Sequence, residues 1–167
     1  MPSADQDLDP ARYRVVPRTL IFIFRGQSLL LIRGAPHKRW AGKYNAIGGH
    51  VERGEDVLSS ARRELFEETG LQADLHLCGT LINDIGQDTG IAVYIFVADY
   101  LDGELRPSSE GTLEWVTFDR LSELPLRFDD LSQLLPRVLQ SRQDGRFFSA
   151  RSYYDENGQL LLSFGDV

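Results

Sequence analysis

Glu64, Glu67 and Glu68 lie three and four residues apart in GGHVERGEDVLSSARRELFEETGL, the stretch from Gly48 to Leu71. On a helix that spacing gathers the three carboxylates on one side. Advancing about 100° per residue puts Val57, Leu58, Ala61 and Leu65 on one apolar stripe, the face that should bury against a sheet. Glu68 falls inside the stripe, Glu64 at its edge and Glu67 just beyond, while Arg62 and Phe66 point elsewhere. A solvated face of exposed Glu and Arg pairs is the ordinary reading of such a helix. Here it meets a difficulty: two like charges about 4 Å apart repel by roughly 4 kcal/mol at an effective dielectric near 20. Glutamates half withdrawn from water must raise their pKa values or hold a cation among them. Oxygen ligands with room left for water and phosphate suit Mg2+ or Mn2+ rather than Zn2+. His37, His50 and His76 are not spaced as a metal set.

The elements that must position this helix are legible on both sides of it. The helix spans about Asp56 to Thr69 and stops at Gly70, the residue expected just past a helix end. Upstream, RTLIFIF and SLLLIR read as two strands joined by a tight turn at Arg25-Gly26-Gln27. The basic loop GAPHKRWAGK follows, then YNAIGGHVE, strand-like but broken by Gly48-Gly49. Downstream, strands are expected at about 74–82, in IAVYIFVADY and in LEWVTF, the last leading into a short helix near 119–124. FDDLSQLLPRVLQSR reads as a second substantial helix with Pro136 as a kink, and FFSARSYYDENGQLLLSF as a hairpin turning at Asn157-Gly158. Strands around one central helix, with a second helix late in the chain, predict the α/β class: a mixed sheet covered by helices on two faces.

With 167 residues and 42% hydrophobic content, the chain fits one domain, expected over residues 13–167 after a loose polar tail, residues 1–12. No apolar run of about 18 residues offers a membrane span, and MPSADQDLDP lacks the basic and apolar parts of a signal peptide, so a cytoplasmic protein is expected. Cys78, the single cysteine, reads as a small buried hydrophobe in a strand, suited to a reducing compartment. A net charge of −7 argues against polymeric nucleic acid and acidic membranes as partners. An anionic small molecule would then need a metal or a local basic patch, and Arg33, His37, Lys38, Arg39 and Lys43 form one just before the glycine pair. The assembly is expected to be a monomer or homodimer, with the aromatics of FFSARSYY available for a dimer or a substrate lid.

Gly49, five residues, Glu55, seven residues, Arg63-Glu64-Leu65, one residue, Glu67-Glu68, one residue, Gly70-Leu71: this pattern resembles the Nudix box in full. The resemblance implies a hydrolase of nucleoside diphosphates linked to another moiety, dependent on Mg2+ or Mn2+, on an α/β/α sandwich. Carried over position by position, Glu64, Glu67 and Glu68 look like metal ligands, joined by the carbonyl of Gly48, and Glu55 with Arg63 looks like the pair that orients the box. The glycine pair also makes sense without the family, because only glycines let a backbone come that close to a metal or phosphate.

Three further features resemble the MutT-like branch, the 8-oxo-dGTP diphosphatases that cleanse the nucleotide pool. WAGKYNAIGG resembles its run before the box, with Asn45 as the base reader and Trp40 as a stacking wall. EGTLEWVTF resembles its late strand, with Glu110 as a further metal ligand or base and Glu114 as the competitor for that role. LPLRFDDLSQLLP resembles its final helix, with Asp129 and Asp130 placed to hydrogen-bond the base; both would also serve as helix N-caps. Ala46 and His50 depart from a glycine and a lysine common in the branch. The reaction implied is cleavage of a nucleoside triphosphate, such as one carrying an oxidised purine, to monophosphate and pyrophosphate, with Glu64 or Glu110 as general base. The alternatives are other nucleoside diphosphate derivatives, namely ADP-ribose, dinucleoside polyphosphates, coenzyme A or sugar nucleotides, and a nucleotide-sensing regulator without turnover. The intact set of box carboxylates weighs against the regulator.

Overall fold

Successive side chains of a strand point to opposite faces of its sheet, and in β1 (Arg14–Arg25) both faces are buried. Ile21 and Ile23 pack on one side with Ala61 and Leu65 of α1 (Val57–Thr69). Phe22 and Phe24 pack on the other with Leu131, Leu134 and Val138 of α2 (Asp130–Asp144). Burial on both faces is why RTLIFIF reads as a continuous apolar run rather than an alternating one. The structure, a computed structural model describing residues 9, 11–128 and 130–165, is thus the expected α/β/α sandwich around a mixed sheet.

The remaining strands are β2 (Ser28–Gly34), β3 (Tyr44–Asn45), β4 (His76–Asn83), β5 (Thr89–Asp99), β6 (Gly111–Thr117), β7 (Phe148–Tyr154) and β8 (Leu160–Phe164). Their order is β3-β2-β1-β5-β4-β7-β8, with β6 also pairing β2. β1 runs parallel to β5 from Arg14↔Thr89 to Phe24↔Asp99, and β4 runs parallel to β7; the other pairs are antiparallel. β2 touches β1 only at the hairpin, through Phe24↔Leu29 and Arg25↔Ser28, then leaves it to run along β6. The sheet therefore forks, and residues 47–50 lie in the fork against β1, bridged singly at Ile21↔Ile47 and Arg18↔His50. The break expected in YNAIGGHVE at Gly48-Gly49 is present, with Gly48 at φ 141°, but regular pairing ends sooner, after Tyr44 and Asn45.

α1 begins and ends as its residues dictate. Asp56 Oδ1 accepts from the backbone N–H of Leu58 and Ser59, both at 2.9 Å, and Gly70 closes the helix at φ 75° with its N–H on the Phe66 carbonyl. Ala61, Leu65 and Glu68 are buried while Arg62 and Phe66 are exposed, so the stripe read from the sequence is the one that packs. Pro136 sits on the exposed side inside α2, which continues through it, and the short late helix is a 3-10 turn over Phe118–Glu123. Cys78 is buried in β4, where burial pushes its thiol up to about 12. Residues 1–8 and 10 of the expected tail lie outside the described residues, and Asp9, Ala11 and Arg12 are exposed. Among the described residues no helix is long and apolar enough to cross a membrane.

Candidate active site

The glutamates of α1 are organised by one arginine. Arg63 donates from Nε to Glu55 Oε1 at 2.6 Å and from Nη2 to Glu55 Oε2 at 3.0 Å. Its Nη1 reaches both Glu64 Oε1 at 2.8 Å and Glu67 Oε2 at 3.1 Å. The same side chain caps the His50 carbonyl at 3.0 Å, beside the Ser60 hydroxyl, which donates to that oxygen at 3.1 Å. Hydrogen bonds from Arg63 and the Glu52 N–H hold the Glu55 carboxyl down to about 2, and Glu55 in turn raises the Arg63 guanidinium far above its ordinary range. The cation demanded by clustered glutamates is therefore partly supplied by the protein: Arg63 serves Glu64 and Glu67.

Arg63 makes no recorded bond to Glu68. That residue is 9% exposed, and its Oε2 accepts from the Gly48 N–H at 3.0 Å. Burial, reinforced by the charges of Glu64 and Glu110, pushes its carboxyl up to about 8 against the opposing pull of the Gly48 N–H. The glycine pair is what brings backbone so near these carboxylates. A Cβ at Gly48 would lie 2.2 Å from the Thr19 carbonyl oxygen, and one at Gly49 would lie 2.4 Å from Glu64 Oε1. The Thr19 N–H to Gly49 carbonyl bond at 2.8 Å and the Ile21 N–H to Ile47 carbonyl bond at 2.8 Å fasten this loop to β1.

Glu110 arrives from the loop before β6. Its carbonyl accepts from the Ala35 N–H at 2.9 Å, Gly111 packs so closely that a Cβ would lie 2.0 Å from the Arg33 carbonyl oxygen, and its carboxylate pairs with Lys38. Its competitor Glu114 lies on β6 and accepts from the Tyr44 hydroxyl at 2.9 Å, a bond that helps raise the Tyr44 pKa behind burial.

A cavity of about 630 Å3 joins these parts. Gly48, Gly49, Glu64, Glu67, Glu68 and Glu110 are part of its lining. Leu20, Leu81, Ile91, Val93 and Leu131 supply apolar lining, and Trp40, Asn45, Phe128 and Asp130 also face it. Of the residues singled out from the sequence, Arg33, Lys38, Arg39, Lys43, Glu55, Arg63 and Glu114 stand outside that lining. Lys38 and Arg63 reach it through their carboxylate partners. Arg33 instead lies 5.9 Å from the centre of the Tyr44 ring, and Arg39 and Lys43 are exposed. Asp129 lies outside the described residues. The lining also contains two arginines that sequence reasoning passed over, Arg18 and Arg127. Arg18 looks like an ordinary charged flank of a strand, and Arg127 like loop filler before a helix; nothing in residue type or spacing marks either.

A NUDIX domain model matches residues 14–138. The chain belongs to the Nudix family. The oxidized purine nucleoside triphosphate hydrolase of Mus musculus is 32% identical over 152 residues, covering 89% of this chain and 94% of that protein. Its counterpart of the same name from Danio rerio is 36% identical over 115 residues, 68% of this chain and 73% of that one. Among solved structures, the Mutator MutT protein from Bacillus halodurans superposes with a TM-score of 0.73 at 28% identity, covering 89% of this chain and 97% of the other.

This Nudix hydrolase thus comes from a family that uses divalent metals. The donors in the acidic part of the cavity lining are carboxylate and backbone oxygens, the set a hard cation prefers. Glu68 is a buried carboxyl with a backbone N–H as its recorded hydrogen-bond partner, a group a cation would satisfy. Among the described residues no three His, Cys, Asp or Glu side chains already converge on one point, since Arg63 Nη1 lies between Glu64 and Glu67. The donor set fits such a cation in chemistry, with one oxygen each of Glu64 and Glu67 on Arg63.

Proposed function

We propose that the protein is a Mg2+- or Mn2+-dependent diphosphatase that acts in the cytoplasm on nucleoside triphosphates carrying an oxidised purine, such as 8-oxo-dGTP, and releases nucleoside monophosphate and pyrophosphate. The observation that carries this reading is one cavity lined both by the box glutamates with Glu110 and by apolar and aromatic side chains, which suits a metal-bound polyphosphate beside a flat base. The names of the mouse and zebrafish relatives support the same substrate class. The domain is read as residues 13–167.

In this reading Glu64, Glu67, Glu68, Glu110 and the Gly48 carbonyl hold the metal. A divalent cation bound there neutralises phosphate oxygens and makes water a better nucleophile. Arg63 and Glu55 keep the helix carboxylates in position against the glycine loop. Glu64 and Glu110 both line the cavity, and either can take the proton of the attacking water. Lys38, through its pair with Glu110, lends its charge to a phosphate oxygen. Arg33, Arg39 and Lys43 act at longer range, as a positive field at the approach. Asn45 reads the base edge, Trp40 walls it, and Asp130 with its neighbour Asp129 accepts from base N–H groups.

The test is pyrophosphate release from 8-oxo-dGTP and dGTP side by side with Mg2+, with ADP-ribose assayed for monophosphate products. Strong preference for 8-oxo-dGTP is the expected result. Cleavage of ADP-ribose alone, or of none of the three, overturns the substrate assignment.

A further inference from the structure

Arg18 and Arg127 both line the cavity, and the acidic machinery described above accounts for neither. Arg18 projects from β1 toward the α2 side of the sheet, in the same phase as Leu20, Phe22 and Phe24. Its Nε is buried and has no hydrogen-bond partner among the described residues. Buried donors are almost always satisfied, so an orphan in a side chain that lines a cavity leaves that guanidinium in want of an acceptor, which a ligand can bring.

Arg127 is tied at both its backbone and its guanidinium. Its N–H donates to the Tyr44 carbonyl at 2.8 Å, next to the Tyr44↔Leu126 bridge. Its guanidinium lies 4.9 Å from the Trp40 ring centre and 4.8 Å from that of Phe128. Both rings line the cavity too. A guanidinium stacked on aromatic faces is fixed in plane and offers its donors along the edge. Desolvation, and then the nearness of Arg18, lowers the Arg127 pKa, while Glu110 and Glu68 oppose that shift. The two cations therefore share one poorly solvated region.

What the two could hold follows from the rest of the lining. Leu20, Leu81, Ile91, Val93 and Leu131 belong to the same cavity alongside the acceptors Asn83, Asp84 and Asp130, and a phosphate gains nothing from the apolar part or from those carboxylates. A flat heterocycle with ring oxygens gains from both: its face covers the apolar side chains and its oxygens meet the donors. We propose that Arg18 and Arg127 form a two-guanidinium cradle that reads a ring carbonyl of the base, selecting 6-oxopurine over 6-aminopurine nucleotides. A 6-amino group would point its own N–H bonds at donors that have no acceptor to offer. The inference rests on the nucleoside triphosphate reading above and specifies its substrate.

Two measurements test it. The first is kcat/KM by pyrophosphate release for dGTP and dATP, and for their 8-oxo forms, with the parent protein and with Arg127→Met, Arg127→Lys, Arg18→Met and Arg18→Lys. The second is calorimetric Kd for dGMP and dAMP in metal-free buffer. The lysine variants keep the charge and lose the fork, so they decide the matter if a methionine variant fails to fold. The guanine-to-adenine ratio is expected to fall about 5- to 150-fold in each folded variant, the range a bidentate arginine contact supplies, with dGMP affinity falling more than dAMP affinity. A ratio equal to that of the parent overturns the cradle, whether both bases lose together, which would assign the arginines to phosphate, or neither changes. If the parent protein cleaves no triphosphate, the reading of the reaction has failed, and the monophosphate affinities alone decide whether the arginines read the 6-oxo group.

Discussion

Replacing each glycine of the Gly48-Gly49 pair by alanine should separate folding from catalysis at adjacent positions. At Gly48 the new Cβ would meet backbone: the Thr19 carbonyl oxygen at 2.2 Å, its carbon at 2.9 Å and Leu20 Cα at 3.1 Å. Backbone cannot swing away, and φ 141° is itself strained for any side chain. Such strain costs about 1–3 kcal/mol. Parting the loop from β1 puts two hydrogen bonds at risk, Thr19 N–H to Gly49 and Ile21 N–H to Ile47, each worth about 0.5–1.5 kcal/mol net. Gly48→Ala should therefore lose roughly 2–6 kcal/mol, or about 4–24 °C in Tm for a domain of this size. At Gly49 the new Cβ meets only the end of a flexible side chain, Glu64 Oε1 at 2.4 Å and its carboxyl carbon at 2.5 Å. That carboxylate can turn aside, at the expense of an ion pair with Arg63 worth about 0.2–1 kcal/mol. Gly49→Ala should melt within about 4 °C of the parent yet lose on the order of a hundredfold in turnover, the usual result of displacing a catalytic group by about 1 Å. Thermal melts and nucleotide hydrolysis on the two proteins decide it. If Gly48→Ala melts with the parent, the close approach to Thr19 is wrong; if Gly49→Ala keeps full turnover, Glu64 does not have to be where it is.

Glu67→Gln, at an exposed position that keeps side-chain size, should leave the melting temperature in place while removing most turnover; unchanged kcat at saturating Mg2+ would exclude Glu67 as a ligand. Leu65→Ala, which empties a site 1% exposed between α1 and β1, should cost about 2–5 kcal/mol by denaturant titration, and a cost under about 1 kcal/mol would mean α1 is not anchored there. Asp155 accepts from the N–H of Gln159 at 2.8 Å and of Asn157 at 2.9 Å, and these bonds hold its carboxyl below the ordinary 3.8. A depressed carboxyl stabilises the fold above its unfolded pKa and loses that effect as pH falls through the folded value. Asp155→Ala should accordingly flatten stability against pH below about 4 and leave its slope near neutrality unaltered, as equilibrium unfolding at several pH values would show.

The helix, its caps and the face it buries were legible because each is local: Asp56, Gly70 and the spacing of Ala61, Leu65 and Glu68 act within a few residues of one another. The strands were legible as apolar runs. Their pairing was not, since the parallel match of β1 with β5 joins segments some 75 residues apart through packing that no local signal encodes. The same limit governs the site. Clustered glutamates announce a need for positive charge, but that Arg63 serves two of them while making no recorded bond to Glu68 depends on side-chain reach in three dimensions. The basic run before the glycines reads as one patch, yet the fold divides it: Lys38 turns to Glu110, whereas Arg33 turns to the Tyr44 ring. Arg18 and Arg127 gain their interest only from the cavity they line and the aromatic faces beside Arg127.

The position of Cys78 gives the fold a clock of its own. The chain holds a single thiol, 3% exposed in β4 and pushed up to about 12 by burial, so in the closed fold it is both covered and kept protonated. Modification by a disulfide reagent must then wait for β4 to open, and its rate reports the free energy of that opening under native conditions. Because no probe has to be introduced, the parent and every variant above can be ranked by thiol release alone, without denaturant and without knowing the substrate.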